Sequence, residues 1–325
     1  MEKLDLKDRK ILYELDIDSR QSFRSLGRKV NLHKDVVAYR VKKLIEDKLI
    51  FNFYTYVDLS KLGYNFLRFY FKLQNTSPEI KNKIIQELVN NKYSAFVNSA
   101  EGEVELTTYF AVKNIYEFAQ IWEKFYNQFG QYFAHIWFSI WYHECMYCYS
   151  FLLESDQNKR TDKNTTVTFG QGTKVEIDEL DFQILKILSP NSRVPSLEIA
   201  KKLNVTVNTI KRRISDLKKK GVIKGYKIDI AFDRLDYKFY RLDIYLKNHS
   251  MCYKINDYIT DNPLIRSRYI SLGDAADLEY EIVIKSIDQV RQLMEDVTVK
   301  FPECIKNYRY YTALKRYKNV YVTDL

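Results

Sequence analysis

Asn208, Arg212, Ser215 and Lys219 recur three or four residues apart, with Thr209 and Lys211 beside them. That spacing places side chains on one face of a helix. Asn and Arg can each form two hydrogen bonds to an adenine or guanine edge, and Lys and Ser suit phosphate oxygens. Ile210, Ile214 and Leu217 fall on the opposite, apolar face, and Thr206 stands where a hydroxyl can cap the helix start. An earlier segment repeats the plan, with Asp35, Tyr39 and Lys42 above Val37, Val41 and Leu44. Lys34, Arg40 and Lys43 flank that outer face. Asp35 repels phosphate and His33 is a poor cap, so the second segment is expected to bind DNA more strongly. The chemistry expected of both faces is double-stranded DNA reading. The bland alternative is a solvated amphipathic helix.

Other chemistries find less support. His135, His143, Cys145 and Cys148 cluster, but they lie in a segment that reads as a strand. There Cys145 and Cys148 point to opposite faces, whereas a zinc site needs about four converging ligands. No metal site is expected. No Gly-rich phosphate loop, nucleophile elbow or Ser/His/Asp set occurs, so no cofactor and no enzymatic activity are expected. The four cysteines suggest no disulfide framework, and Cys252 and Cys304 read as buried thiols. No apolar run approaches the ~20 residues that cross a bilayer. The first nine residues lack the apolar centre of a signal peptide, so a cytoplasmic protein with no membrane partner is expected.

Charge follows the same two segments. Glu2–Ile50 carries 13 basic and 9 acidic residues, and Lys174–Lys227 carries 13 and 6. The chain as a whole is +10, so the remainder is close to neutral. Confined positive excess is the footprint of a nucleic-acid partner. The sequence also matches itself at a shift of 173. Ile11, Leu12 and Leu15 return as Ile184, Leu185 and Leu188, and Ser19-Arg20 returns as Ser192-Arg193. Arg40, Leu44, Phe66 and Arg68 return as Arg213, Leu217, Phe239 and Arg241. Two long homologous units are present, not a solenoid of short repeats.

Each unit opens with three short amphipathic segments, the helix-turn-helix plan, Asp5 capping the first. The period then changes to two, with Ile50–Val57 and Ile223–Ile230 as wing and hinge strands. In the first unit Tyr64–Leu73, Tyr93–Ala100, Glu105–Val112 and Ala134 onward read as strands, and Pro78–Asn90 and Ile115–Phe129 as helices. That order is βαββαβ. The expected fold class is α+β, with two copies of a winged helix-turn-helix domain followed by a ferredoxin-like domain. Boundaries are expected at 1–50, 51–153, a polar linker at 154–174, 175–226 and 227–325. The sheet face away from the helices is aromatic and should pack on a second sheet.

The marks Asp178-Glu-Leu-Asp-Phe-Gln-Ile-Leu185, Asn191-Ser-Arg193, Leu197–Leu203, Thr206–Arg213 and Gly221-Val-Ile-Lys-Gly225 resemble the Lrp/AsnC family of regulators. The resemblance implies transcription regulation, a third helix in the major groove, paired sheet domains with further homo-oligomers, and often a small amino-acid-like effector. Here it implies pairing of the two halves as a pseudo-dimer. It also implies an effector region at a glycine turn followed by an acid, matched by Gly273, Asp274 and Asp277 and, as an acidic variant, by Gly102 and Glu105. The first unit has Lys48 where the second has Gly221. Siroheme decarboxylases share the fold. That resemblance would imply a His-Asn-Tyr-Arg-like stretch, and beyond Arg266 and Arg268 on a predicted strand none is read. A non-specific chromatin-coating protein is the other alternative.

Overall fold

A computed structural model describes residues 4–153, 160, 167–170, 173–319 and 322. Most of the segment expected as a linker therefore lies outside the described residues. The first head comprises α1 (Leu6–Ile17), α2 (Phe23–Val30) and α3 (Lys34–Glu46). Asp5 and Ser22 cap the first two through side-chain bonds to the backbone N–H three residues on, while His33 gives α3 no such cap. The second head has α6 (Glu179–Leu188), α7 (Ser196–Leu203) and α8 (Val207–Lys219), with Asp178 and Thr206 as caps. Lys48 and Gly221 both follow a third helix in the left-handed region, at φ 53° and 72°. A lysine Cβ crowds its carbonyl there. Lys48→Gly is expected to raise the unfolding free energy by about 0.5–1 kcal/mol, the relief of strain exceeding the added freedom of the unfolded chain. Urea unfolding checks this.

Strand β1 (Ile50–Val57) leaves the first head, and β7 (Ile223–Ile230) leaves the second. They pair antiparallel with each other, Thr55 opposite Tyr226. The exchange carries into the cores. Ile11, Leu26, Val37 and Leu44 pack with Ile228, Ile230 and Tyr237 of the other half. Ile184, Ile199, Ile210 and Leu217 pack with Val57, Leu59 and Leu62.

In the first half follow β2 (Asn65–Leu73), α4 (Pro78–Asn90), β3 (Ser94–Gly102), β4 (Leu106–Val112), α5 (Ile115–Phe129) and β5 (Phe133–Met146). Short β6 (Val167–Phe169), inside the segment expected as linker, pairs with β5. In the second half follow β8 (Lys238–Leu246), α9 (Cys252–Thr260), β9 (Ile265–Gly273), β10 (Leu278–Ile284), α10 (Asp288–Lys300) and β11 (Ile305–Asn319). The strands run β2-β4-β3-β11-β8-β10-β9-β5, and β5 pairs back with β2. Eight strands thus close a ring, joined across the halves at β3–β11 and β5–β9. Closure removes the unpaired edges that each four-stranded sheet would have alone.

Alternation sorts each strand's residues to two faces. Leu67, Phe69 and Phe71 pack outward under α4 and α5. Leu242, Ile244 and Leu246 pack under α9 and α10. The inward face departs from the expectation of an aromatic layer. Arg68, Arg241, Asp243, Glu279 and Arg309 are all buried alongside the rings of Tyr70, Tyr269 and Tyr311. No helix among the described residues is long and apolar enough to cross a membrane.

Candidate nucleic-acid interface

Ile210, Ile214 and Leu217 fix α8 in its head with Val207 packed beside them, and the opposite face of the helix meets solvent. Asn208, Lys211, Arg212, Ser215 and Lys219 are exposed and Thr209 half-buried. Among the described residues Lys211, Arg212 and Lys219 form no ion pair or hydrogen bond, so their charge is available to a ligand. Thr206 Oγ1 accepts from the Thr209 backbone N–H at 3.1 Å, which orders the first turn.

On α3, Lys34, Tyr39, Lys42 and Lys43 are exposed, Tyr39 by 66%. Lys42 lies 3.6 Å from Glu46, and Asp35 is held 3.2 Å from His33. Arg40 departs from the expectation of a DNA contact. Its guanidinium bonds Asp5 and Asp8, both at 2.8 Å, and so ties α3 to the start of α1. Its repeat partner Arg213 ties α8 to Asp178 and Asp181 at 2.6 and 3.3 Å. Both arginines brace the heads from within. The sequence held the signal, since both return at the shift of 173 together with their acids.

Residues one repeat apart meet between the heads. Ser19 Oγ and Ser192 Oγ lie 2.7 Å apart. Arg20 donates to the carbonyls of Ser192 and Val194, and Arg193 donates to those of Ser19 and Gln21. The Ser19 N–H donates to Tyr226 O at 2.9 Å, and the Ser192 N–H donates to Phe53 O at 2.8 Å. Each bond has its mirror, so a local two-fold axis passes between the heads.

Beneath them the ring interior is charged. Glu279 accepts from Arg68 at 2.8 Å and Arg241 at 2.6 Å, and from the hydroxyls of Tyr70 and Ser271. Tyr269 lies against both guanidiniums, at 4.3 and 4.5 Å. At the β5 side, Glu144 accepts from Tyr56 of β1. Burial, with the Glu281 carboxylate nearby, pushes the Glu144 carboxyl up from its ordinary 4.5 to about 7. The folded state therefore favours the protonated acid. Its stabilising contribution is complete below pH 4.5 and is lost as pH rises through about 7, by up to about 3 kcal/mol. Glu144→Gln should flatten this part of the profile. Thermal melts of both proteins from pH 5 to 8 test it, and parallel curves would refute it.

The glycine turns are occupied by their own structure. Glu105 accepts from the Leu73 N–H at 3.0 Å, and Asp277 accepts from the equivalent Leu246 N–H at 2.6 Å. Asp274 accepts from the Phe138 N–H across the halves at 2.8 Å. Gly102 and Gly273 lie in the positive-φ region at 131° and 138°. A Cβ on Gly273 would meet Phe138 O at 2.2 Å, so close strand approach explains that glycine. Among the described residues no three His, Cys, Asp or Glu side chains converge as metal ligands.

Contrary to the expectation that no His-Asn-Tyr-Arg-like stretch is present, the sequence holds Asn307-Tyr308-Arg309, three of its four residues. Arg309 is buried there. It bonds Asp243 at 3.0 Å and the Ala275 carbonyl at 3.0 Å, with its guanidinium 4.3 Å from the Trp137 ring. Arg266 is likewise taken up by Glu281 at 2.5 Å.

Residues 4–45 match the AsnC-type helix-turn-helix domain, and residues 177–224 match a winged helix-turn-helix DNA-binding domain. The chain is similar to the HTH-type transcriptional regulator LrpB of Bacillus subtilis, 28% identical over 46% of this chain and 97% of that one. It is 34% identical to the HTH-type transcriptional regulator LrpA of Pyrococcus horikoshii over 30% of this chain and 70% of that one. The crystal structure of the siroheme decarboxylase NirDL has the same fold at 14% identity. Its TM-score is 0.65, with 97% of this chain and 93% of that one covered. Two matching heads, and a relative matched over most of its length, place the chain in the Lrp/AsnC family of helix-turn-helix transcription regulators.

Proposed function

We propose that this regulator binds double-stranded DNA sequence-specifically, as an internal pseudo-dimer whose two heads are not identical. The observation that carries the reading is the exposed face of α8, with Asn208, Lys211, Arg212, Ser215 and Lys219, and half-buried Thr209 at its edge. Asn208 and Arg212 are assigned to base edges, and the lysines, Ser215 and Thr206 to the backbone. In the first head Lys34, Lys42 and Lys43 contact phosphates and Tyr39 lies against the groove. Asp35 weakens this head, so the two half-sites differ in sequence and in strength. The reciprocal Arg20 and Arg193 bonds support a fixed separation of the heads, hence a fixed spacing of half-sites.

Selection of bound fragments from genomic DNA tests the reading. The expected product is a two-part, non-palindromic site whose affinity falls steeply with salt. Equal binding to all fragments would favour a chromatin-coating protein. The full-length likeness in fold to a decarboxylase supports a second reading, an enzyme acting on a tetrapyrrole. Its predicted sign is a spectral shift when siroheme is added. An amino-acid-like effector at the turns would have to displace the backbone bonds of Glu105 or Asp277. Titrating amino acids against the DNA complex tests that response.

A further inference from the structure

We infer that the inner sheet face of the first half is built to pair with the second half of a chain and to reject another first half. This stands apart from the DNA-binding reading and does not depend on it. Arg68 and Arg241 are repeat equivalents, and both reach one carboxylate, Glu279. In the second half, Asp243 and Arg241 of β8 stand opposite Glu279 and Glu281 of β10. In the first half, the same places on β2 and β4 pair Tyr70 with Thr107 and Arg68 with Tyr109. On β5, Trp137 opposite Tyr70 replaces the Arg309 that stands opposite Asp243.

The first half therefore brings a buried arginine and no acid at these places. The buried carboxyl group on its β5 strand, Glu144, is taken by Tyr56. The second half brings Arg241 with its own Glu279. Two first halves would bury two Arg68 guanidiniums facing each other without a counter-charge. Arginine does not escape by losing its proton. A mixed pair shares Glu279 between both arginines. Pairing two second halves is electrostatically permitted, since each arginine keeps an acid. The asymmetry thus acts as a repulsive element against one wrong partner, which is how specificity is commonly enforced.

The test uses the full chain with a protease site placed within residues 155–159. After cleavage the sample is unfolded in urea, refolded, and its pairs are counted by native mass spectrometry. Mixed pairs are expected to dominate, with first–first pairs about tenfold or more below their statistical share. First–first pairs at the statistical share, or refolding without mixed pairs, would overturn the inference. Thr107→Glu supplies the missing acid at the place equivalent to Glu279, and with it first–first pairs should appear. Their continued absence would show that something other than this carboxylate sets the pairing, and would overturn it too.

Discussion

Glu279→Gln is expected to lower the unfolding free energy by about 3–5 kcal/mol, the usual cost of leaving one side of a buried ion pair without its partner. Glu279 is fully buried and serves two guanidiniums at 2.6 and 2.8 Å. Glutamine preserves the shape and one acceptor oxygen but removes the charge. Two arginines then remain against the Tyr269 ring, with only Glu281, 3.5 Å from Arg241, as a carboxylate partner among the described residues. The same physics sets the acid limb of stability. Burial alone would raise the Glu279 carboxyl, but Arg68 and Arg241 outweigh it and hold it at about 2. Its contribution is complete above the ordinary 4.5 and is lost as pH falls toward 2. The glutamine variant should lack that limb. Replacing Arg68, Arg241 and Glu279 together with apolar residues should recover most of the loss, because the desolvation cost disappears with the charges. A drop below about 1 kcal/mol for the single variant in urea unfolding would mean that water or a shifted side chain neutralises the site.

Two adjacent arginines should separate DNA binding from head stability. Arg212→Ala is expected to weaken binding to the selected operator by about 1–3 kcal/mol if the side chain meets a base edge. Stability should move by less than about 0.5 kcal/mol, because Arg212 is exposed and unpaired among the described residues. Arg213→Ala should do the reverse. It removes the link from α8 to Asp181 and to Asp178, whose side chain also caps the start of α6. Arg213 is about a quarter exposed, so the loss is set at about 0.5–1 kcal/mol. Fluorescence anisotropy with labelled operator, beside thermal melts, checks both. If the two variants lose affinity equally, α8 does not present the face assigned to it.

The pair also shows how the fold engages one candidate contact with its own acids. Arg40 and Arg213 stand beside the outward face in a helical projection, and type and spacing alone assign Arg40 to DNA. Only the fold shows the first turn of α1 reaching it with two carboxylates. Asp5 and Asp8 lie more than 30 residues away in sequence. Among the described residues Arg212 and Lys219 have no such neighbour, and for them the helical projection and the folded surface agree.

What the sequence determined by itself is what local geometry encodes. The 3.6-residue period placed Val37, Val41 and Leu44, and Ile210, Ile214 and Leu217, on buried helix faces. The caps Asp5 and Thr206 were legible because a side-chain acceptor must stand next to the first turn. The shift of 173 disclosed the duplication, and with it the arginines that recur. Tertiary structure decided everything that rests on residues meeting across that shift. Arg68 finds Glu279 at a separation of 211 residues, and Ser19 finds Ser192 at 173. β3 and β5 close the ring by pairing with strands of the other half. No periodicity records such pairings, because they are chosen by which faces and edges can be buried together once the strands exist. A charge on a strand is visible in the chain, but its partner is known only when the sheet has closed.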